Sequence, residues 1–222
     1  MVVPEYRVRE IEDKAAALLR QAYCKVYPYA VPLTAIDVEW VAEATLGLRF
    51  RPIPGLRSRF GVDGLLGRTP DGRPVIVVDE RLFDHPSQHR YRFTLAEEVG
   101  HYLLHFRHLP RASTPEEAVQ QYHSIENWGI AERNAKRFAA ALLMPMESVE
   151  RQAAGVYAAL CEDPAEGEGR RLIERLVAIL VKIFRVSPEA MRHRLTEYPA
   201  RLTERIQRAL QDGLKSLPPR PQ

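Results

Sequence analysis

Glu97, Glu98 and His101 are the residues whose types and spacing point most directly to chemistry. They lie in Arg92-Phe-Thr-Leu-Ala-Glu-Glu-Val-Gly-His-Tyr-Leu-Leu-His105, a stretch with no proline, few β-branched residues and apolar positions at helical spacing. On a helix, Glu97 and His101 are one turn apart and share a face. A carboxylate and an imidazole so placed can grip one metal ion, and the adjacent Glu98 is positioned to serve as a general base.

The pattern is a variant of H-E-x-x-H, in which two histidines hold zinc and the glutamate between them is the base of a metallopeptidase. Here the first ligand position holds Glu97. Carboxylates bind zinc at about 2.0–2.2 Å, so ligation survives the exchange. The charge balance does not. Two histidines and one glutamate leave a zinc site singly positive, whereas a second glutamate makes it neutral. A less positive ion acidifies its water less. One imidazole with two carboxylates also suits manganese or iron.

Such a helix needs a third ligand, and Glu132 is the best candidate. It lies in Ile130-Ala-Glu-Arg-Asn-Ala-Lys-Arg-Phe-Ala-Ala-Ala-Leu-Leu-Met-Pro145 and shares a helical side with Ala135, Ala139 and Leu143. A carboxylate on an apolar face is expensive to bury unless paired or metal-bound. Read alone, Glu132 is a helix-start glutamate favoured by the macrodipole. With Glu97 and His101 upstream, it becomes a ligand candidate. If no ion bound, Glu97, Glu98 and Glu132 would crowd like charges.

Other polar residues nearby have plainer readings. Glu97, His101 and His105 on one helix span two turns, roughly 12 Å of rise, too long for one ion. His105 is therefore expected behind the ligands, supporting or packing. Tyr122 and His123, in an expected loop before Glu126, could donate to a developing oxyanion or simply be solvated. His85 and His89 are four apart, but His89 lies off the Glu97/His101 face, so a surface or capping role is expected. Gly100 would let the helix approach a neighbour closely, and Tyr102 would pack.

The elements that position these residues can be read in order. Val8–Cys24 carries Ile11, Ala15, Leu18, Leu19 and Ala22 at helical spacing. Tyr27-Pro-Tyr-Ala-Val-Pro32 breaks it. Thr34 is the expected N-cap of a second helix that Gly47 closes. Strands are expected at Leu48–Ile53, in Arg59–Leu66, and most clearly at Pro74–Val78, forming a small, mostly antiparallel sheet. The central helix follows, led in by Pro86. Arg107–Ile125 reads as a loop, with a short helix over Pro115-Glu-Glu-Ala-Val-Gln. A helix over Glu126–Met144 stops at Pro145. Arg170–Phe184 and the segment after Val186 read as helix, turn, helix, with Ser187 as N-cap and Pro188 in the first turn. Thr203–Leu214 is a last helix. Three units are expected: a domain over 1–150, a helical extension over 151–216 set off by the acidic Cys161–Gly169 stretch, and a flexible tail over 217–222.

At 222 residues the chain is long enough for one sizeable domain and an appendage. Its 45% hydrophobic and 27% charged content is that of a soluble globular protein. A formal charge of +3 is weak support for nucleic-acid binding. Two cysteines, Cys24 and Cys161, read as reduced thiols of a cytoplasmic protein. The N-terminus lacks a signal-peptide layout, and the apolar run near Leu176–Phe184 is too short to span a bilayer. No membrane association is expected.

Arg92-Phe-Thr-Leu-Ala-x-Glu-x-Gly-His-Tyr-Leu-Leu-His105 followed by Glu132-Arg-x-Ala-x-x-Phe-Ala-x-x-Leu-Leu-Met-Pro145 resembles the ImmA/IrrE family of zinc metallopeptidases. The Phe184-Arg-Val-Ser-x-x-Ala-Met-x-x-Arg-Leu195 segment fits the same family. The resemblance implies a compact gluzincin-like α+β domain, small sheet packed on helices, with a helical C-terminal extension. It implies ligands at positions 97, 101 and 132 and a general base at Glu98. It also implies a protein substrate, a DNA-binding repressor often of helix-turn-helix type, whose cleavage relieves repression in stress response or mobile-element control. Position 97 departs from the family's histidine.

The expected function is thus a cytoplasmic metallo-endopeptidase acting on a partner repressor, with zinc, or else manganese or iron. Two alternatives stand beside it. One is a pseudo-peptidase that keeps the groove, binds a regulator and needs no metal. The other is a DNA-binding regulator working through the C-terminal helices, where Arg192, His193 and Arg194 give only a modest basic face, so direct nucleic-acid binding is not the leading expectation.

Overall fold

Helix formation at the start of the chain follows the apolar spacing. α1 (Val8–Tyr23) buries Ile11, Ala15, Leu18 and Leu19 on one stripe. α2 (Val38–Leu46) begins three residues later than the Thr34 cap requires, because Asp37 takes that role: its side chain accepts from the Trp40 N–H. Gly47 closes α2 in a left-handed conformation, φ 64°. The computed structural model describes residues 3–24, 32–69, 71–83, 88–108, 112, 114–162, 169–197 and 201–218, with the side chains of His123, Gly169 and Arg170 outside the description. Of the helix break expected over Tyr27–Pro32 all but Pro32 lies outside it, as do the His85-Pro86 lead-in, the acidic 163–168 stretch and the last four residues.

β1 (Arg49–Ile53) is followed by α3 (Leu56–Phe60), β2 (Gly64–Arg68) and β3 (Pro74–Asp79). The expected strand over Arg59–Leu66 is thus divided. Gly55 and Gly61, both left-handed, bracket a one-turn helix, and the strand starts only at Gly64. β3 is central in the order β1-β3-β2. β2 and β3 form an antiparallel hairpin with Leu66 opposite Ile76. β1 runs parallel to β3, with Arg51 opposite Val77. The sheet is therefore mixed rather than mostly antiparallel, because α3 and β2 intervene before the chain returns beside β1.

α4 (His89–His105) is the central helix, packed on β2 and β3 on one side and on α6 on the other. Between them, α5 (Pro115–His123) extends the short helix expected within the loop to 9 residues, capped by Thr114 with Pro115 in its first turn. α6 (Trp128–Leu143), α7 (Met146–Cys161), α8 (Gly169–Phe184), α9 (Pro188–Thr196) and α10 (Leu202–Gln211) complete an α+β fold. α7 runs through residue 150 without a break, and buried residues from Ile11 to Ala209 form one connected core.

Ser187 caps α9 by accepting from the Ala190 N–H, with Pro188 in the first turn, as the sequence implies. The C-terminal helices are tied to the rest by buried cations. Arg194 on α9, 2% exposed, bonds Glu12 of α1 and the Met144 carbonyl. Arg92 on α4 donates to the carbonyls of Phe184 and Ile36. No helix among the described residues is long and apolar enough to cross a membrane.

Candidate metal centre

Gly100 brings two helices into near-contact. A Cβ there would lie 3.1 Å from the Ala135 Cα and 3.2 Å from the Phe138 Cβ, so only glycine lets α4 and α6 sit this close. One residue further along α4 is His101, and three residues before Ala135 on α6 is Glu132. The close crossing places His101 Nε2 3.4 Å from Glu132 Oε1. Glu97 lies one turn back on the same face of α4. One ligand atom each from Glu97, His101 and Glu132 falls within 4.8 Å of the others.

Atoms held at about 2.0–2.2 Å by one tetrahedral ion lie roughly 3.3–3.6 Å apart. The His101–Glu132 separation of 3.4 Å is in that range. The ionisation of the cluster points the same way. Burial pushes the Glu97 carboxyl up to about 6, with the Glu132 charge adding to it. Burial pushes Glu98, 7% exposed, up to about 8 against the pull of His101. Burial disfavours the His101 cation, but the Glu132 hydrogen bond and the surrounding carboxylates outweigh it and raise its pKa. Burial likewise disfavours the Glu132 anion, and His101 and Lys136 reverse that and lower it. The cluster is short of positive charge, and its donor set fits a divalent cation.

Glu98 is held from the sheet side. The nearby Leu66 N–H favours its ionised form against the effect of burial. The Leu66 carbonyl accepts from the Tyr122 hydroxyl. Gly64 leaves the room: a Cβ there would meet Thr94 Cγ2 at 2.5 Å and Glu98 Oε1 at 3.1 Å. Tyr122 lies in the last turn of α5 rather than in a loop, and His123 follows it with its side chain outside the described set. His105 sits behind His101, fully buried, ring centroids 5.6 Å apart, and is not in the ligand group. Burial pushes it down to about 3, so it is neutral. Tyr102 packs on Phe106.

Two residues not anticipated from sequence complete the centre. Trp128, at the start of α6 behind the left-handed Asn127 (φ 63°), stacks flat on His101 at 5.2 Å and is itself stacked by Tyr122 at 5.0 Å. Its side chain also lies near enough to Glu132 to favour that carboxylate's ionised form. His101 Nδ1 is buried with no hydrogen-bond partner among the described residues, so the indole face and the Glu132 contact at Nε2 are what hold the ring. Lys136 reaches both acidic ligand candidates, 3.9 Å from Glu97 and 3.8 Å from Glu132. Its position four residues after Glu132 is the signal that would have found it.

A cleft of about 570 Å³ opens over these groups, with Arg57, Asp63, His89, Phe93 and the α8–α9 turn residues Val186 and Ser187 on its walls. His89, expected to be a capping or surface residue, is the first residue of α4 and faces this cleft. A smaller recess of about 60 Å³ adjoins it beneath Trp128 and Tyr122.

The model of peptidase family M78, the IrrE N-terminal-like domain, matches residues 52–196. The chain belongs to that family. No curated protein gives a significant match. The matched part of this IrrE-like chain runs from β1 to the end of α9 and contains Glu97, Glu98, His101, Glu132 and Lys136. It therefore spans the three residues that could hold a metal ion and the cleft around them, within a metallopeptidase-like domain.

Proposed function

We propose that this IrrE-like chain is a metallo-endopeptidase that cuts a partner transcriptional repressor of the helix-turn-helix kind in the cytoplasm. The observation that carries the reading is the convergence of Glu97, His101 and Glu132 beside the buried carboxyl of Glu98. In this reading those three hold the ion, zinc first, with manganese or iron as substitutes. When bound, the ion supplies Lewis acidity toward the scissile carbonyl and an activated water. Glu98 takes the proton of the attacking water on its carboxylate and delivers it to the departing amine. Burial holds the metal-free carboxyl up at about 8, and the positive charge of a bound ion beside it would favour the ionised form that accepts the proton. The cleft over the site admits an extended peptide, and the α8–α9 turn contributes to its wall.

A second reading, a pseudo-peptidase that binds the regulator uncut, is favoured by one feature: Glu97 stands where the motif has histidine, and Lys136 already offers it a positive charge. Direct DNA contact through α9 has less support, since Arg192 pairs with Glu174 and Arg194 is buried against Glu12. The test is incubation of the purified chain, of known metal content, with candidate helix-turn-helix repressors from the same genome, any encoded beside it first. Cleavage by the parent and none by Glu98→Gln supports the peptidase. A repressor bound intact at full metal load leaves the pseudo-peptidase.

A further inference from the structure

Lys136 is more than a helix-surface partner of Glu132. Its side chain is 59% exposed, yet its ammonium lies 3.9 Å from Glu97 on one helix and 3.8 Å from Glu132 on the other. Those two carboxylates are the acidic members of the metal-binding group. Helix register fixes this placement, because a residue four after Glu132 sits one turn above it on the same face. The arginines that line the cleft are engaged elsewhere: Arg57 and Arg90 both pair with Asp63.

With His101 neutral, Glu97 and Glu132 present two negative charges to an ion. Lys136 reduces the local charge to a single negative one, which is what two histidines and one glutamate present. We propose that Lys136 is the resident counter-cation of this centre, offsetting the carboxylate at position 97 and standing in for part of the metal's charge when no metal is bound. The inference rests on the proposed metal site, and it assigns Lys136 a positioning and charge-setting role rather than a ligand's.

A fixed cation beside an ion repels it, whereas a residue that merely holds two ligands in place helps the ion to bind. The two roles give opposite signs. The experiment is a titration of the full chain with zinc alone against a chromophoric chelator, at low and high salt, for the parent, Lys136→Gln and Lys136→Arg. Removing one charge about 5 Å from a divalent ion in a water-like dielectric is expected to tighten zinc binding roughly tenfold at low salt. The exposed position of Lys136 makes the gain shrink as salt rises. Lys136→Arg, which keeps the charge, should bind zinc as the parent does. Metal-free Lys136→Gln should also melt about 1–3 °C lower, because Glu97 and Glu132 then lose their shared partner. Zinc affinity in folded Lys136→Gln that is unchanged or weaker overturns the counter-cation role while leaving the metal site standing. A parent chain that binds no zinc overturns both.

Discussion

Gly100 on α4 lies against Ala135 on α6 so closely that a Cβ on the glycine would come within 3.1 Å of both the Ala135 Cα and its carbonyl oxygen. That contact decides whether His101 and Glu132 can share an ion, because both sit within a turn of it. Both partners there are backbone atoms, so added bulk must be met by moving a helix. Gly100→Ala is therefore expected to lose about 1–3 kcal/mol of stability despite alanine's better helix propensity, and to weaken zinc binding. Gly155, exposed on α7 with open space around it, is the control. Gly155→Ala should be neutral or stabilising by up to about 1 kcal/mol. Denaturant melts and zinc titrations of both variants check the contrast; equal behaviour at the two sites would show that the crossing tolerates spreading.

The carboxyl of Glu98 gives the metal-free chain a pH signature. Its folded pKa, pushed up to about 8, lies above the ordinary carboxylate value, so the folded state holds a proton that the unfolded state has released. Stability then falls as pH rises through that interval. His105, pushed down to about 3, works in the other direction, but only below its ordinary value of 6.5. Between pH 6.5 and 8 the Glu98 effect is left unopposed by it, and the raised His101 acts in the same sense. Stability in chelator is expected to drop by roughly 1–2 kcal/mol across that window. Glu98→Gln, which has no proton to lose, should flatten most of the drop. A parent profile that is already flat would argue against a buried, protonated Glu98.

Arg194 tests how the C-terminal helices are held. It is 2% exposed, bonds Glu12 with its guanidinium and donates to the Met144 carbonyl. Removing one partner of such a pair strands the other charge, at a cost of about 3–5 kcal/mol. Arg194→Ala is expected to lower the thermal midpoint by roughly 10 °C. The double variant Arg194→Met with Glu12→Leu should recover much of that. If Arg194→Ala melts like the parent, the bridge between α9 and α1 contributes little.

Much of the centre was legible in the sequence because it depends on local spacing. Glu97 and His101 four apart, Glu98 beside them, and Glu132 on an alanine-rich face are one-dimensional patterns, and so is the need for a small residue at Gly100. What escaped was set across elements. Trp128 acquires its role only when α6 lies on α4, and Val186 and Ser187 reach the cleft only because Arg92 draws the end of α8 to α4. Asp37 is a better cap than Thr34 by residue type and adjoins the apolar run that starts at Val38, so the later start of α2 was a signal the Thr34 reading passed over. The direction of β1 depended on a return path through α3 and β2 that alternation alone does not encode.

Trp128 is the residue on which the His101 orientation turns. Its indole lies 5.2 Å from the His101 ring with the planes 5° apart, and its side chain favours the ionised form of Glu132. No hydrogen bond to His101 Nδ1 shares that task among the described residues. Residues that orient metal ligands typically change affinity 10–100-fold when removed, so Trp128→Ala is expected to weaken zinc binding by at least about tenfold. Trp128→Phe keeps a flat partner for the imidazole and loses the indole N–H, and should fall between. The chain has two tryptophans, so a Trp40→Phe background leaves Trp128 as the sole indole emitter. In that background zinc should change the fluorescence as the stacked His101 exchanges proton for metal, with the same midpoint as chelator competition. Should Trp128→Ala bind zinc as tightly as the parent, the ring must be held by Glu132 and the α4 backbone alone, and the stack is packing without consequence for the metal.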